Sequence, residues 1–262
     1  MVKVDTLKEI VKKKKERILL AKQNLPEQEL KDKIQNLTKT KSFIESINKS
    51  RDISLIAEIK KASPSSGIIR QDFNLGEISL NYKEAGVQAL SVLTEEDYFA
   101  GSPSYINEVK NLVDLPVLRK DFILEPYQVY ESRFLGADAI LLIADLLSKE
   151  TLSELLQLSQ NLGLDCLLEV HTEKEVKKAL SLKVPLIGIN NRDLHSLEVD
   201  FEVTEKLFPL IPKEKVVVVE SGIKNRQDVL FLKILGVSAV LIGQAFLEAQ
   251  DIKKKVEEVM GW

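Results

Sequence analysis

GADAILL, residues 136–142, sets a glycine, an apolar residue, a polar residue and a small residue ahead of a β-rich run. GVQALSV (86–92), GLDCLLE (163–169) and GVSAVLI (236–242) repeat the same order. Each follows a helical pattern, so the glycine reads as a left-handed helix C′ cap that feeds straight into a strand. Gly136 lies 50 residues after Gly86, Gly163 lies 27 after Gly136, and Gly236 lies 73 after Gly163. These distances fit two, one and three strand–helix units of roughly 25 residues each.

The missing units stand where that spacing requires them: SLIAEIK (54–60), LPVLRKD (115–121), VPLIGIN (184–190) and KVVVVES (215–221). Eight strands are therefore expected, starting near residues 54, 88, 116, 138, 165, 186, 215 and 238. The run of valines at 216–219 lacks the alternation of a half-solvated strand and suits a parallel sheet covered on both faces. Eight βα units in one chain predict an α/β fold, a closed (β/α)8 barrel; a doubly wound open sheet is the structural alternative. Between the strands, Ser102–Pro103 reads as an N-cap with proline at N1, and Thr172 with Glu175 as a capping box.

Residues 1–50 stand outside the repeat. Thr6 with Glu9 reads as a capping box and Pro26 can open a helix through Glu27, Leu30 and Ile34, which predicts two or three extra helices packed on the barrel. The whole chain, 1–262, is expected to form one barrel domain with this extension. The lysine run at 12–15, flanked by Glu9 and Glu16, reads as a solvated helix face.

Composition narrows the function classes. A net charge of −3 gives no reason to expect nucleic acid or an acidic membrane as partner. One cysteine permits no internal disulfide, and two histidines build no zinc cluster of usual spacing. MVKVDTLKEIVKKKKER at the N-terminus lacks the apolar stretch of a signal peptide, and nowhere do 18 apolar residues run together. The expectation is a cytoplasmic protein, as a monomer or weak homodimer, whose partner is a small molecule.

Barrel active sites sit at the C-terminal ends of the strands. There the sequence offers Glu58 and Lys60, two apart and so on one face; Arg119, Lys120 and Asp121; Glu169; Asn190 and Arg192; and Glu220 with Ser221. Ammonium and carboxylate groups aimed at one mouth must pair or shift in pKa, and such clusters mark functional sites. Ser221–Gly222 ends strand seven and Gly243–Gln244 ends strand eight, the habitual phosphate position of this fold. Glycine lets backbone N–H groups approach an anion, and a following helix N-terminus would add its dipole. The polar stretch from Lys61 to Gly67, irregular on towards Leu75, reads as a binding loop or lid.

IAEIKKASPSSG (56–67), LTEEDYFAGS (93–102), LRKDF (118–122), LLEVH (167–171), IGINNRDL (187–194), VVESGI (218–223) and LIGQA (241–245) together resemble, in order, the signature segments of indole-3-glycerol-phosphate synthase. The resemblance implies closure of 1-(2-carboxyphenylamino)-1-deoxyribulose 5-phosphate to indole-3-glycerol phosphate, with loss of carbon dioxide and water, in tryptophan biosynthesis. It implies no cofactor and no metal. By motif position, Lys120 would be the general acid at the ribulose carbonyl, and Glu169 would stabilise the cationic ring intermediate. Glu58 and Lys60 would move protons in the dehydration, with Lys60 also near the substrate carboxylate, and Asn190 would contact substrate or orient Glu169. Ser63, Phe99, Phe122, Arg192, Glu220 and Ser221 would bind substrate: Arg192 and Ser63 at the carboxylate end, the two phenylalanines walling the aromatic ring. Ser221, Gly222, Gly243 and Gln244 would hold phosphate.

The sequence departs from the family pattern at Gln244, where an acidic or small hydroxyl residue is more frequent, at Ser66 for lysine, and at Asn74–Leu75 for Asp-Pro. The alternatives are another phosphate-binding barrel, such as phosphoribosylanthranilate isomerase or the tryptophan synthase α subunit, and a non-catalytic barrel binding protein. The isomerase and the α subunit share the phosphate glycines but not Glu58 and Lys60 with Lys120 and Glu169. Cys166, in the small-residue slot of the repeat, is expected to pack; His171 and His195 fall in polar loops, and Trp262 at an exposed end.

Overall fold

A computed structural model describes residues 6–48 and 52–262. Eight parallel strands close on themselves: β1 (Ser54–Ile59), β2 (Ala89–Leu93), β3 (Val117–Lys120), β4 (Ala139–Ile143), β5 (Asp165–Val170), β6 (Leu186–Asn190), β7 (Val216–Glu220) and β8 (Ala239–Ile242). β1 pairs with both β2 and β8, which excludes the open sheet. The four repeat glycines have φ of 79, 91, 74 and 99°, and Gly136 and Gly236 are left-handed C-caps as the repeat requires.

Strand periodicity of two sorts the side chains into two apolar layers. Leu55, Ala57, Cys166, Leu168, Val217 and Val219 face outward against the helices. Ile56, Leu118, Leu141, Leu167, Val218 and Leu241 fill the barrel interior. Cys166 is buried in the outer layer, where burial pushes its thiol up to about 12, in keeping with a packing role.

The extension forms three helices, α1 (Thr6–Asn24), α2 (Glu27–Ile34) and α3 (Phe43–Asn48). Residues 1–5 and 49–51 lie outside the described residues. Leu30 of α2 packs with Ile18 and Tyr127 on the outside of the barrel. Buried Phe43 and Ile47 of α3 join the interior cluster at the base, where the Ile44 N–H donates to Asp165 at 3.0 Å.

Three local readings need correction. Thr6 lies within α1 instead of capping it. Ser102–Pro103 precedes a helix of residues Ser104–Leu112 whose N-cap is Pro103, with no side-chain cap. Thr172 does cap Glu175 N–H at 3.3 Å, but the Glu175 carboxylate turns to His171 N–H at 2.7 Å. The larger surprise is Lys14. Within the run read as solvated it is 3% exposed, because it falls on the stripe Leu7, Ile10, Lys14, Ile18 that α1 buries. Lys12, Lys13 and Lys15 do face solvent.

Candidate active site

The register that fills the barrel also aims its mouth. Glu58 and Lys60 continue the inward face of β1 from Ile56, Lys120 continues that of β3 from Leu118, and Glu169 that of β5 from Leu167. Asn190 sits opposite Glu220 across the β6–β7 pair. Arg119 and Asp121 alternate to the other side of Lys120. Buried outside the barrel, Arg119 holds Asp121 at 3.1 Å and Glu131 at 2.8 Å, so the charged end of strand three divides between two environments.

All the inward groups line one open cavity of about 140 Å³, together with Phe99, Phe122, Arg192, Ser221, Gly222, Gly243 and Gln244. The Lys60 ammonium donates to Glu58 at 2.5 Å. The Lys120 ammonium sits between Glu169, at 3.1 Å, and Glu220. Asn190 Nδ2 donates to the other oxygen of Glu169 at 3.0 Å, and Asn190 Oδ1 accepts the Arg192 N–H at 2.9 Å.

Charge in this ring is unbalanced. Burial alone would depress the Lys120 ammonium, but Glu220, Glu169 and Glu58 outweigh it and raise its affinity for a proton. Burial pushes the Glu220 carboxyl up, and Glu169 and Glu58 add to the push against the pull of Lys120. Glu220 Oε1 has no hydrogen-bond partner among the described residues. The Arg192 guanidinium, its pKa lowered by burial, donates to the Leu197 carbonyl at 2.7 Å and has no carboxylate within ion-pair distance among the described residues.

The same cavity holds a glycine cradle. Ser221 and Gly222 both take positive φ, 66 and 85°, and a Cβ on Gly222 would stand 2.9 Å from Val199 Cγ1. A Cβ on Gly243 would stand 2.8 Å from Glu58 Cβ, so β8 touches β1 there as closely as a side-chain-free residue allows. The helix dipole invoked from the sequence is small: Gln244 opens a helix of only four residues, Gln244–Leu247. After β7, the Asn225 side chain already accepts the Gln227 and Asp228 N–H groups that open Arg226–Leu235, and the Asp228 carboxylate accepts those of Lys224 and Asn225.

Phe99 and Phe122 meet at 6.2 Å between ring centroids and form one wall of the cavity. Ser63 is not in the cavity lining. It belongs to a two-stranded hairpin, Ala62–Ser63 with Gly67–Ile68, that replaces the irregular loop expected after β1, and its hydroxyl accepts the Ser66 N–H at 3.2 Å. Instead Ser65 and Ser66 line an outer recess shared with Arg192, Gly222 and Gln244. Sequence reading also missed Leu141, Ile143, Leu194 and Leu241 in the lining, which carry no signal beyond being apolar. It missed Gly188 too: a Cβ there would stand 2.5 Å from Glu220 Oε1, and a glycine inside a strand was the available clue.

The family model for indole-3-glycerol phosphate synthase matches residues 7–259. The protein of that name from Acetivibrio thermocellus is 47% identical over 254 residues, 96% of this chain and 98% of that one. The one from Legionella pneumophila is 43% identical, over 97% of this chain and 98% of that one. Among solved structures, the tryptophan synthase alpha-subunit from Pyrococcus furiosus superposes with a TM-score of 0.60 at 16% identity, covering 80% of this chain and 99% of that one, a likeness of fold alone. With almost its whole length matched by the family model and by relatives above 40% identity, the chain belongs to the indole-3-glycerol phosphate synthase family.

Proposed function

We propose that the cavity closes the indole ring of 1-(2-carboxyphenylamino)-1-deoxyribulose 5-phosphate, with Lys120 as the general acid. The activity is that of the family, a carboxy-lyase of tryptophan biosynthesis. In the reaction the ring carbon bearing the carboxylate attacks the ribulose carbonyl. The new carbon–carbon bond places a positive charge on the anilino system and a negative one on the former carbonyl oxygen. Carbon dioxide then leaves with its bonding pair to the ring, and water leaves last.

The observation that carries this reading is the Lys120 ammonium, held protonated between Glu169 and Glu220 in the cavity that the glycine cradle also lines. A protonated donor at the carbonyl oxygen and a carboxylate beside the developing cation are the two charges the attack needs. Asn190 fixes the second oxygen of Glu169, so its role is to orient that carboxylate. Glu58 and Lys60, already sharing a proton-bearing contact, serve the dehydration. Glu220 steadies the Lys120 ammonium from the side opposite Glu169. Phosphate sits on Ser221, Gly222, Gly243 and Gln244, and the carboxylate end meets Arg192 and the serine hairpin. Holding both ends of the flexible sugar confines it to the reactive bend.

The reading takes residues 1–262 as one barrel unit, acting on a small molecule in the cytoplasm as a monomer or weak homodimer. Its test is indole fluorescence on addition of the carboxyphenylamino sugar phosphate to wild type and Lys120→Ala. Turnover is expected to fall by about 10²–10⁴-fold in the variant. Near-normal turnover would remove Lys120 from this role, and a wild type that forms no indole would remove the reading.

A further inference from the structure

Lys14 is a buried cation from outside the barrel that ends beside the proposed catalytic strand. Its ammonium lies 2.8 Å from Asp121 Oδ1 and 3.5 Å from Glu96, with 4% of its side chain exposed. Asp121 is the residue between Lys120, the proposed acid, and Phe122, in the cavity wall. Its carboxylate also accepts the Phe122 N–H at 2.8 Å, the Thr94 hydroxyl at 2.6 Å and Arg119 at 3.1 Å. Thr94 N–H in turn donates to the Lys120 carbonyl at 3.0 Å. Of the donors on that carboxylate among the described residues, Lys14 alone comes from the N-terminal extension.

One turn later, Arg17 grips Asp97 at 2.9 and 3.0 Å. Asp97 belongs to the loop that carries Phe99, whose carbonyl accepts the Ala62 N–H at 3.2 Å, two residues beyond Lys60. A single helix face thus reaches, through Asp121 and Asp97, the segments that carry Phe122 and Phe99 and the backbone next to Lys120 and Lys60.

We propose that Lys14 is a positioning residue, which acts through Asp121 to set the placement of the Lys120 ammonium and the Phe122 ring. The inference rests on the assignment of Lys120 made above. Burial alone would push the Asp121 carboxyl up; Lys14 and Arg119 reverse this and hold it at about 2, so the aspartate is a fixed anion whose orientation follows its cations. With Lys14 removed, that anion turns towards Arg119 and draws the peptide linking Lys120 to Phe122 with it. Displacements below an ångström at a reacting group are enough to slow it markedly.

The test compares kcat and KM of full-length Lys14→Met, Lys14→Gln and Lys14→Arg, well below every melting temperature. Lys41→Met serves as control, because Lys41 joins the extension to Asp114 at a surface remote from the cavity. Expected are a fall in kcat of about 10- to 100-fold for Lys14→Met with KM within about threefold, recovery by Lys14→Arg, and unchanged kcat for Lys41→Met. If Lys14→Met does not fold, Lys14→Gln carries the same comparison. A kcat within about twofold of wild type, or a fall that arginine does not rescue or that Lys41→Met shares, overturns the proposal. Failure of the assignment beneath it shows separately, as near-normal turnover in Lys120→Ala or absence of indole from the wild type.

Discussion

One added methyl group at Gly188 isolates the placement of Glu220. Gly188 lies mid-β6, in register with Glu169 on one side and Val218 on the other. It is not among the glycines of positive φ, so alanine meets no backbone obstacle there. Its Cβ would stand 2.5 Å from Glu220 Oε1 and 3.2 Å from Leu167 Cδ1, where ordinary contact begins at 3.4 Å. A leucine methyl can yield the smaller difference. The carboxylate cannot swing freely, because its other oxygen holds Lys120, so it must retreat by about 0.9 Å and drag that ion pair with it.

Overpacking of this kind costs about 1–3 kcal/mol, which for a chain of this size lowers the melting temperature by about 3–10 °C. The kinetic effect is larger in proportion, since a displacement near 1 Å at a reacting group lowers turnover by up to about 10²-fold. Indole fluorescence measured well below both melting temperatures should therefore give Gly188→Ala a kcat about 10- to 100-fold below wild type. Stabilisation by inorganic phosphate should persist, because the cradle is untouched. A folded variant with kcat within about twofold of wild type would show that the position of Glu220 does not matter to the reaction.

Two further outcomes are expected. Gly222→Ala places a side chain at φ 85° and 2.9 Å from Val199 Cγ1. It should raise KM about tenfold with kcat kept and lose most of the thermal shift by phosphate, a gain of about 2.7 kcal/mol at a hundredfold excess over Kd for the wild type. Equal shifts in wild type and variant would place the phosphate elsewhere. Asp121 has its carboxyl lowered from 3.8 to about 2, so its contribution is complete above pH 3.8 and fades as pH falls through about 2. This amounts to about 2 kcal/mol. Urea unfolding from pH 5 to 2 should be less steep in pH for Asp121→Asn by about that amount, and identical slopes would refute the pairing.

The repeat of Gly86, Gly136, Gly163 and Gly236 determined the strand–helix units by itself, because a left-handed cap followed by an apolar strand is a local event needing only neighbouring residues; their closure into a barrel was decided by the long-range pairing of β1 with β8. Strand periodicity likewise made Glu58, Lys60, Lys120 and Glu169 legible as inward-facing, since a two-residue alternation is written in the chain. Which partner each of them takes was not legible. That Lys120 lies between Glu169 and Glu220 depends on the stagger of β3, β5 and β7 around the closed barrel, a long-range quantity. The hairpin after β1, which turns Ser63 to its own backbone, is set by packing against the Phe99 loop. Lys14 is the clearest case. Helical periodicity puts it on the stripe Leu7, Ile10, Lys14, Ile18, but only the docking of α1 brings the Asp121 and Glu96 carboxylates that let a lysine leave water there.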